Sequence, residues 1–355
     1  IGIGAFSDCS GLKDIEVDSH NPIYDSREDC NAIIETSTNK LIRGCKNSFI
    51  PNTISIIDDF AFSYCPDLDS IIIPNSVTSI GKNAFEVCYP LSSITIPNSV
   101  TTIGDSAFYN CSGMTSLTIG NSVAWIGQMA FSTCPNLEDI VVDAGNTKYD
   151  SRNDCNAIIE TATNKLIYGC KNTVIPNTVN NIENFAFYMC LRLKSITIPN
   201  SVTRIGGYAF FDCHDLDTII SYAIEPPTIY QNTFEYDDLS IPLIVPCGSA
   251  SAYRNTRYWS DFTNIQEDCS GVEENEIADL QIYPNPVSNM LNITSSEEIS
   301  EIEIVNMMGQ VVYRTEVKGC NAVCDVEDLK SGVYVVKIYG NAASTPLSQR
   351  RFVKE

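Results

Sequence analysis

Apolar and polar positions follow a pattern that recurs along most of this chain. In one unit of the pattern, Leu91, Ile94 and Ile96 are followed directly by Pro97 and Asn98. Ile94 and Ile96 lie on one face of an extended segment, because successive side chains of a strand point to opposite faces. Proline has no N–H to donate to a neighbouring strand, so Pro97 is expected to end the strand and to begin a turn.

Each unit also contains the phrase Ala-Phe-x-x-Cys, which occurs seven times; four successive copies lie 23 residues apart, as do the last two. A fixed period of this length predicts a solenoid of stacked coils, each burying its apolar face against its neighbours. Over the phrase we expect a single helical turn, and a positive φ at the corner glycine, such as Gly81. The phenylalanines should form one continuous spine: Phe62, Phe85, Phe108, Phe131, Phe187 and Phe210. In this register the chain has nine coils in one parallel sheet, with strands centred on Ile15, Ser48, Ile71, Ile94, Leu117, Ile140, Thr173, Ile196 and Ile219.

Two coils are ten residues longer than the others and have nearly the same sequence, at 24–47 and 149–172. In the first, a loop at 36–39 between two apolar runs predicts a projecting β-hairpin. Counting back from this loop sets Cys30 opposite Cys45, and in the second copy Cys155 opposite Cys170. Each pair is therefore either a disulfide that clamps the hairpin base or two inert buried thiols at core positions. The sequence leaves both alternatives open.

The repeat decays after the ninth coil. We expect the solenoid at 1–220, a C-terminal cap that shields its last coil at 221–269, an acidic linker at 270–277 and a separate module at 278–355. In that module, the alternation in 301–304 and 333–336 predicts the strands of a small Ig-like β-sandwich.

Composition narrows the function. The net charge of −22 argues against a nucleic-acid partner and against docking on an anionic membrane, and no apolar run is long enough to span a bilayer. Fifteen cysteines, eight of them outside the repeat phrase, indicate an oxidising extracytoplasmic setting, in which Cys247 and Cys269 are a further candidate disulfide. The two histidines, His20 and His214, read as exposed surface residues. We expect no metal, no cofactor and no enzymatic activity.

The outward positions of the predicted strands are the candidate ligand-binding surface. Most of this stripe is small and polar, as at Thr95 and Thr118. Two places are apolar on adjacent coils, Phe49 with Ile72 and Val141 with Val174, and each pair lies in or beside a long coil. Exposed apolar patches in repeat arrays are often contact sites. Plain β-propensity without a ligand is an equally good explanation.

The repeat Ile-Gly-x-x-Ala-Phe-x-x-Cys-x-x-Leu-x-x-Ile-x-Ile-Pro-Asn-Ser-Val resembles the BspA-like leucine-rich repeats of bacterial surface proteins over about residues 1–265. The C-terminal module resembles the sorting domain of the type IX secretion system of Bacteroidetes, through the motifs at 282–286, 304–306, 309–312, 332–334 and 352–354.

These resemblances imply a secreted or surface-attached adhesion module, located outside the cell or on the outer membrane. Its partners would be a host or bacterial surface protein or glycan, and the secretion machinery through 278–355. The alternative is a structural spacer that displays other regions and has no discrete ligand. A family of this kind implies a class of function rather than a particular ligand.

Overall fold

The computed structural model describes residues 1, 2, 5, 6, 9, 11–269, 281–306, 310–340 and 348–355. The predicted linker, 270–277, lies outside the described residues. Two compact units are present. The first comprises Ile1–Ile219, Pro227–Pro242 and Asp261–Asn264, and the second Ile220–Pro226, Leu243–Ser260 and Ile265–Glu355.

The first unit is a solenoid of stacked coils, which confirms the predicted fold class. The longer strands have four residues each, and the buried aliphatic residues of one strand lie opposite those of the next, as Ile94 does Leu117. They form two separate sheets, so the predicted single parallel sheet is wrong. Ser93–Ile96, Ser116–Ile119 and Asp139–Val142 form the first sheet, and Ser195–Ile198 and Thr218–Ser221 belong to another after the second long coil. The residues around Ile15, Ser48, Ile71 and Thr173, which the sequence predicts as strands, are not strands in the structure.

Two-residue strands, which the sequence pattern does not predict, follow the Pro-Asn turns and the Gly120-Asn121 turn and form two further parallel ladders. They are Ile56–Ile57, Ser79–Ile80, Thr102–Ile103 and Trp125–Ile126, and later Asn181–Ile182 and Arg204–Ile205. The hairpins join these ladders instead of projecting freely, because Lys40 pairs with Ile56 and Lys165 pairs with Asn181 in parallel. The hairpin strands are Tyr24–Asp25, Ile33–Glu35 and Lys40–Arg43, and in the second copy Tyr149–Asp150, Ala157–Glu160 and Lys165–Gly169.

The Ala-Phe-x-x-Cys segments form consecutive hydrogen-bonded turns rather than a helix, so the predicted helical turn is wrong. Their amides bond to the next coil: that of Phe85 donates to the carbonyl of Ala107 at 2.7 Å, and that of Val87 to Tyr109 at 2.9 Å. The left-handed φ falls on Asn83 and Val87, not on Gly81. Gly81 is needed for space instead, since a Cβ there would lie 2.5 Å from the backbone nitrogen of Asp59.

The phenylalanine spine is divided into two stacks. Phe62, Phe85, Phe108 and Phe131 stack with ring centroids 5.0, 5.0 and 5.4 Å apart. Tyr168 of the second long coil meets the edge of Phe131, which ends the first stack. A second stack then begins, with centroids 4.9 and 5.1 Å apart, and extends into the predicted cap: Phe187, Phe210 and Phe234.

The second unit contains the end of the predicted cap and the C-terminal module. Leu243–Pro246 pairs in parallel with Ile265–Asp268, and the helix Ala250–Asn255 carries the buried Tyr253. The module is antiparallel, consistent with an Ig-like sandwich, and buries Leu291, Ile304 and Phe352. Its strands are Gln281–Tyr283, Met290–Asn306, Val311–Asp325, Gly332–Tyr339 and Ser348–Lys354.

Short 3-10 turns also occur along the chain, at Arg27–Asp29, Arg152–Asp154 and Trp259–Asp261.

Candidate functional site

Three of the predicted outward residues form one column across the longer strands. Thr95 lies opposite Thr118, and Thr118 lies opposite Val141, in the parallel register. The residues between them along each strand are buried, so this column faces solvent by the alternation of the strand. Val141 is 52% exposed.

An open groove of about 640 Å³ runs along this face of the longer strands and brings together Ile72, Thr95 and Thr118. Ile72 is 85% exposed, which is unusual for an isoleucine. Pro97, Asn98 and Asp143 also line the groove, as do Ser70, Ile71, Ile73, Asn75, Ser93, Ile96 and Gly120. The groove therefore offers apolar surface, most exposed at Ile72, with hydroxyl, amide and carboxylate groups around it.

The Pro-Asn turns also contribute to this groove, although the sequence pattern predicts only that Pro97 ends a strand and begins a turn. Asn98 holds a corner of the coil, because its Oδ1 accepts the backbone N–H of Asn121 at 2.8 Å. Asn98 and Asn75 nevertheless also line the groove. The position of Pro97-Asn98 directly after the strand Ser93–Ile96 was the signal that could have revealed this second role.

Phe49 and Val174 are exposed, by 45% and 70%, but the residues that line the groove do not include them. Each belongs to a long coil, where the backbone amide of Phe49 donates to Cys30 and that of Val174 donates to Cys155. Phe49 and Val174 therefore lie beside the start of the hairpin in their own coils.

The hairpin cysteines lie one residue out of the predicted register. A bulge between Ile33 and Ile34 pairs Ile33 with Arg43, and the second hairpin has the same irregularity between Ile158 and Ile159. The structure has all four cysteines as separate buried thiols, Cys30, Cys45, Cys155 and Cys170.

These thiols hydrogen-bond to backbone carbonyls. Cys45 Sγ donates to the carbonyl of Lys13 at 3.0 Å, and Cys170 Sγ donates to that of Glu138 at 3.2 Å. Cys30 and Cys155 each bond the carbonyl two residues ahead. The arrangement corresponds to the second alternative, thiols at core positions, rather than to clamps. By contrast, Cys247 and Cys269 are joined in a disulfide with their Cα atoms 5.0 Å apart.

Each hairpin is fastened instead by an arginine and an aspartate. The Nε and Nη2 atoms of Arg27 donate to the Asp25 carboxylate at 2.8 and 2.7 Å, and Nη1 reaches Asn39 in the loop at 2.8 Å. The bonds from Arg27 hold the pKa of Asp25 at about 2. Arg152 and Asp150 repeat the arrangement. Because these carboxylates are already engaged, they are poorly suited to bind calcium.

The chemically reactive residue types occupy ordinary structural positions. His20 and His214 each pair through Nδ1 with a nearby aspartate, at 3.1 and 3.0 Å, and both are exposed. Burial raises the pKa of the Cys65 and Cys134 thiols to about 11 and about 12, so both stay protonated at neutral pH. Among the described residues, the group of three side chains close enough to share a metal is Cys247, Glu267 and Cys269, whose sulfurs form the disulfide.

The repeat and the C-terminal module both match known families. Residues 32–157 and 159–269 match the BspA type leucine rich repeat region in six copies, and residues 281–354 match the secretion system C-terminal sorting domain. This chain belongs to the BspA-type leucine-rich repeat proteins and carries a C-terminal sorting domain. It is exported to the extracellular or outer-membrane surface. Within the described parts of the chain, no helix has the length and apolarity that crossing a membrane requires.

Similar solved structures are also bacterial leucine-rich repeat proteins. A leucine rich cell surface protein from Faecalibacterium prausnitzii is 25% identical, with a TM-score of 0.49 and 76% of each chain covered. The pneumococcal vaccine antigen PcpA is 22% identical, with a TM-score of 0.44 and 54% of each chain covered. A leucine-rich repeat protein from Bacteroides ovatus is 26% identical, with a TM-score of 0.32, 61% of this chain and 71% of the other being covered. A comparison with curated proteins gives no match.

Proposed function

We propose that this surface protein is an adhesion module that binds a protein or a glycan through the groove of the longer strands. The observation that carries the proposal is the exposure of Ile72 beside Thr95 and Thr118 in one groove. A specific site is commonly built in this way, from an apolar contact that supplies affinity and a few polar groups that fix orientation. The family is typically not enzymatic, in line with a binding role.

The sorting domain supports the same proposal, since it delivers the solenoid to a surface where other cells and their matrix are accessible. In this proposal, Phe49, Val141 and Val174 extend the contact area beyond the groove. The proposal includes the predicted division of the chain into solenoid, cap, linker and sorting domain.

A structural spacer without a discrete ligand is the second candidate. The observation that favours it is the small polar character of most of the face, such as Ser93 and Thr95. A spacer would present the same exposed strands and bind nothing through them.

The test is a screen of the full chain against extracellular matrix proteins and a glycan array, followed by affinity measurements on variants. Replacing Ile72 with serine should weaken the affinity for a ligand found in this way about tenfold, the effect of losing about 1.4 kcal/mol of apolar contact. Val311→Ser is the control, because it removes an exposed apolar side chain from the C-terminal module. Equal affinities for the Ile72→Ser protein and the wild type would place the site elsewhere, and a screen without any ligand would favour the spacer.

A further inference from the structure

Five aromatic rings form a continuous block on the Ala-Phe-x-x-Cys side of the last coils, away from the groove. Phe185 stacks on Tyr208 with centroids 5.3 Å apart, and Tyr188 stacks on Phe211 at 4.8 Å. The two stacks contact each other within each coil. The ring centroids of Phe185 and Tyr188 are 5.7 Å apart, and those of Tyr208 and Phe211 are 5.5 Å apart. Tyr236 extends the block, with its ring edge-to-face against Phe211 at 5.1 Å. We call these five residues the aromatic block.

The aromatic block is partly open to solvent. Its four stacked rings are half-buried, whereas Tyr236 is 71% exposed. The buried phenylalanine stack already fills the core beneath, through Phe187 and Phe210. The outer rings are therefore not required to complete the core, and packing alone does not explain five of them at consecutive outward positions.

The charges around the aromatic block are negative. Asp212 follows Phe211 directly, and Glu235 precedes Tyr236. Burial raises the pKa of the Tyr188 hydroxyl, and Tyr109, Asp212 and Tyr208 act in the same direction, as expected where negative charge is close. In the described residues of these coils, the positions flanking the two Ala-Phe segments and Thr233-Phe234 include no lysine or arginine: 184, 185, 188, 189, 207, 208, 211, 212, 231, 232, 235 and 236. His214, which can carry a positive charge, pairs with Asp212, and Lys194 of the preceding coil pairs with Asp215.

We propose that the aromatic block is a second binding surface, and that it binds a basic, arginine-containing segment of a partner protein. The face of an aromatic ring attracts a cation, and a guanidinium can stack on Tyr236 while it donates hydrogen bonds to a carboxylate such as Asp212. The net charge of −22 would bring a basic partner toward the protein from a distance. This surface is independent of the groove, and it does not rest on the function proposed above.

The experiment measures binding of the full chain to a labelled peptide of alternating arginine and glycine, in buffer with physiological salt. An acidic protein attracts any cationic peptide weakly, so the comparison between variants decides the outcome. Tyr236→Ser combined with Asp212→Asn should weaken binding about fivefold to tenfold, from the loss of one cation–π contact and one carboxylate. Tyr236→Phe should retain most of the affinity, because it keeps the ring.

The matched control is Tyr89→Ser combined with Asp69→Asn, which removes the same chemical groups from exposed positions elsewhere in the solenoid. It should leave the affinity within twofold of the wild type. A lysine–glycine peptide should bind more weakly than the arginine peptide, since a guanidinium stacks on a ring and an ammonium does not.

Three results would overturn the proposal. Equal weakening by the control would show that the attraction is only the net charge of the protein. Loss of affinity in Tyr236→Phe as large as in Tyr236→Ser combined with Asp212→Asn would exclude the ring as the contact. A glycan whose binding is abolished by Tyr236→Ser, with unchanged peptide affinity, would make the aromatic block a carbohydrate surface.

Discussion

Asp237 stands where the repeat has its cysteine, and its replacement by asparagine is expected to stabilise the protein at neutral pH. Thr233 and Phe234 take the places of Ala and Phe in the last coil, because the amide of Phe210 donates to the carbonyl of Thr233 at 2.9 Å. In the preceding coil, Cys213 Sγ donates to the carbonyl of Phe187 at 3.1 Å. The carboxylate of Asp237 therefore occupies the site of a thiol, and both of its oxygens are buried, with only a weak contact to the backbone of Cys213.

The magnitude follows from the pKa. Burial raises the pKa of Asp237 from 3.8 to about 7; the negative charge of Asp212 adds to the shift, whereas the backbone of Cys213 and the His214 side chain oppose it. Between these values the folded protein binds the proton that the unfolded chain has released. The contribution to stability is thus fully present below about pH 4 and is lost as the pH rises through about 7. Three pKa units correspond to at most about 4 kcal/mol.

The assay is urea unfolding followed by circular dichroism at pH 4 and pH 8, for the wild type and for Asp237→Asn. Asparagine cannot ionise, and its amide can donate to a backbone carbonyl as the thiol does. We expect similar stabilities at pH 4 and a variant more stable than the wild type by about 1–4 kcal/mol at pH 8.

Asp238→Asn is the control for this experiment. Asp238 is the next residue and is exposed. Hydrogen bonds from the side chain of Ser240, and from its backbone amide at 2.8 Å, lower the pKa of the Asp238 carboxyl. Its replacement should give no stabilisation at pH 8. A difference between Asp237→Asn and the wild type that is the same at both pH values would refute the reasoning, because ionisation of Asp237 would then not be its cause.

Three further predictions follow from the fold. Phe108→Ala should lower the free energy of unfolding by roughly 3–5 kcal/mol, because it leaves a cavity between stacked rings; a loss below about 1 kcal/mol would show that the ring is not core. Removal of 278–355 should abolish surface delivery in the native host, measured by protease accessibility on intact cells, and normal delivery would contradict the sorting role. When the protein is unfolded without reductant and alkylated, intact mass should show that Cys30 and Cys45 are labelled but Cys247 is not. Protection of Cys30 and Cys45 would show that these two residues form the disulfide clamp instead.

The sequence determined the repeat architecture and the identity of the core. Positions that recur every 23 residues, such as Phe85, Cys88 and Ile94, are buried as predicted, and outward residues such as Ile72 and Val141 are exposed. These features were predictable because strand alternation and coil spacing are local properties that recur in every copy of the repeat. The sorting domain was recognisable for a similar reason, since its motifs occur in a fixed order along the chain.

What the sequence left undecided depends on contacts between coils. The left-handed residues Asn83 and Val87 are held by hydrogen bonds to the following coil. Asparagine tolerates that conformation, but nothing within one coil favours it for a β-branched valine. The bulge beside Ile34 moves Cys30 out of register with Cys45, although counting along the chain pairs them. A bulge adds a residue to one strand without any mark in the apolar pattern.

The candidate surfaces show the same division. The sequence placed Ile72, Thr95 and Thr118 on one outward face, but the groove between them and the Pro-Asn turns became visible only in three dimensions. The aromatic block and the buried Asp237 were overlooked because each arises where a residue of one coil meets the coil beside it. A periodic sequence therefore determines which side chains point inward. Only the stacked structure decides what those that point outward meet, because their neighbours lie a full coil away along the chain.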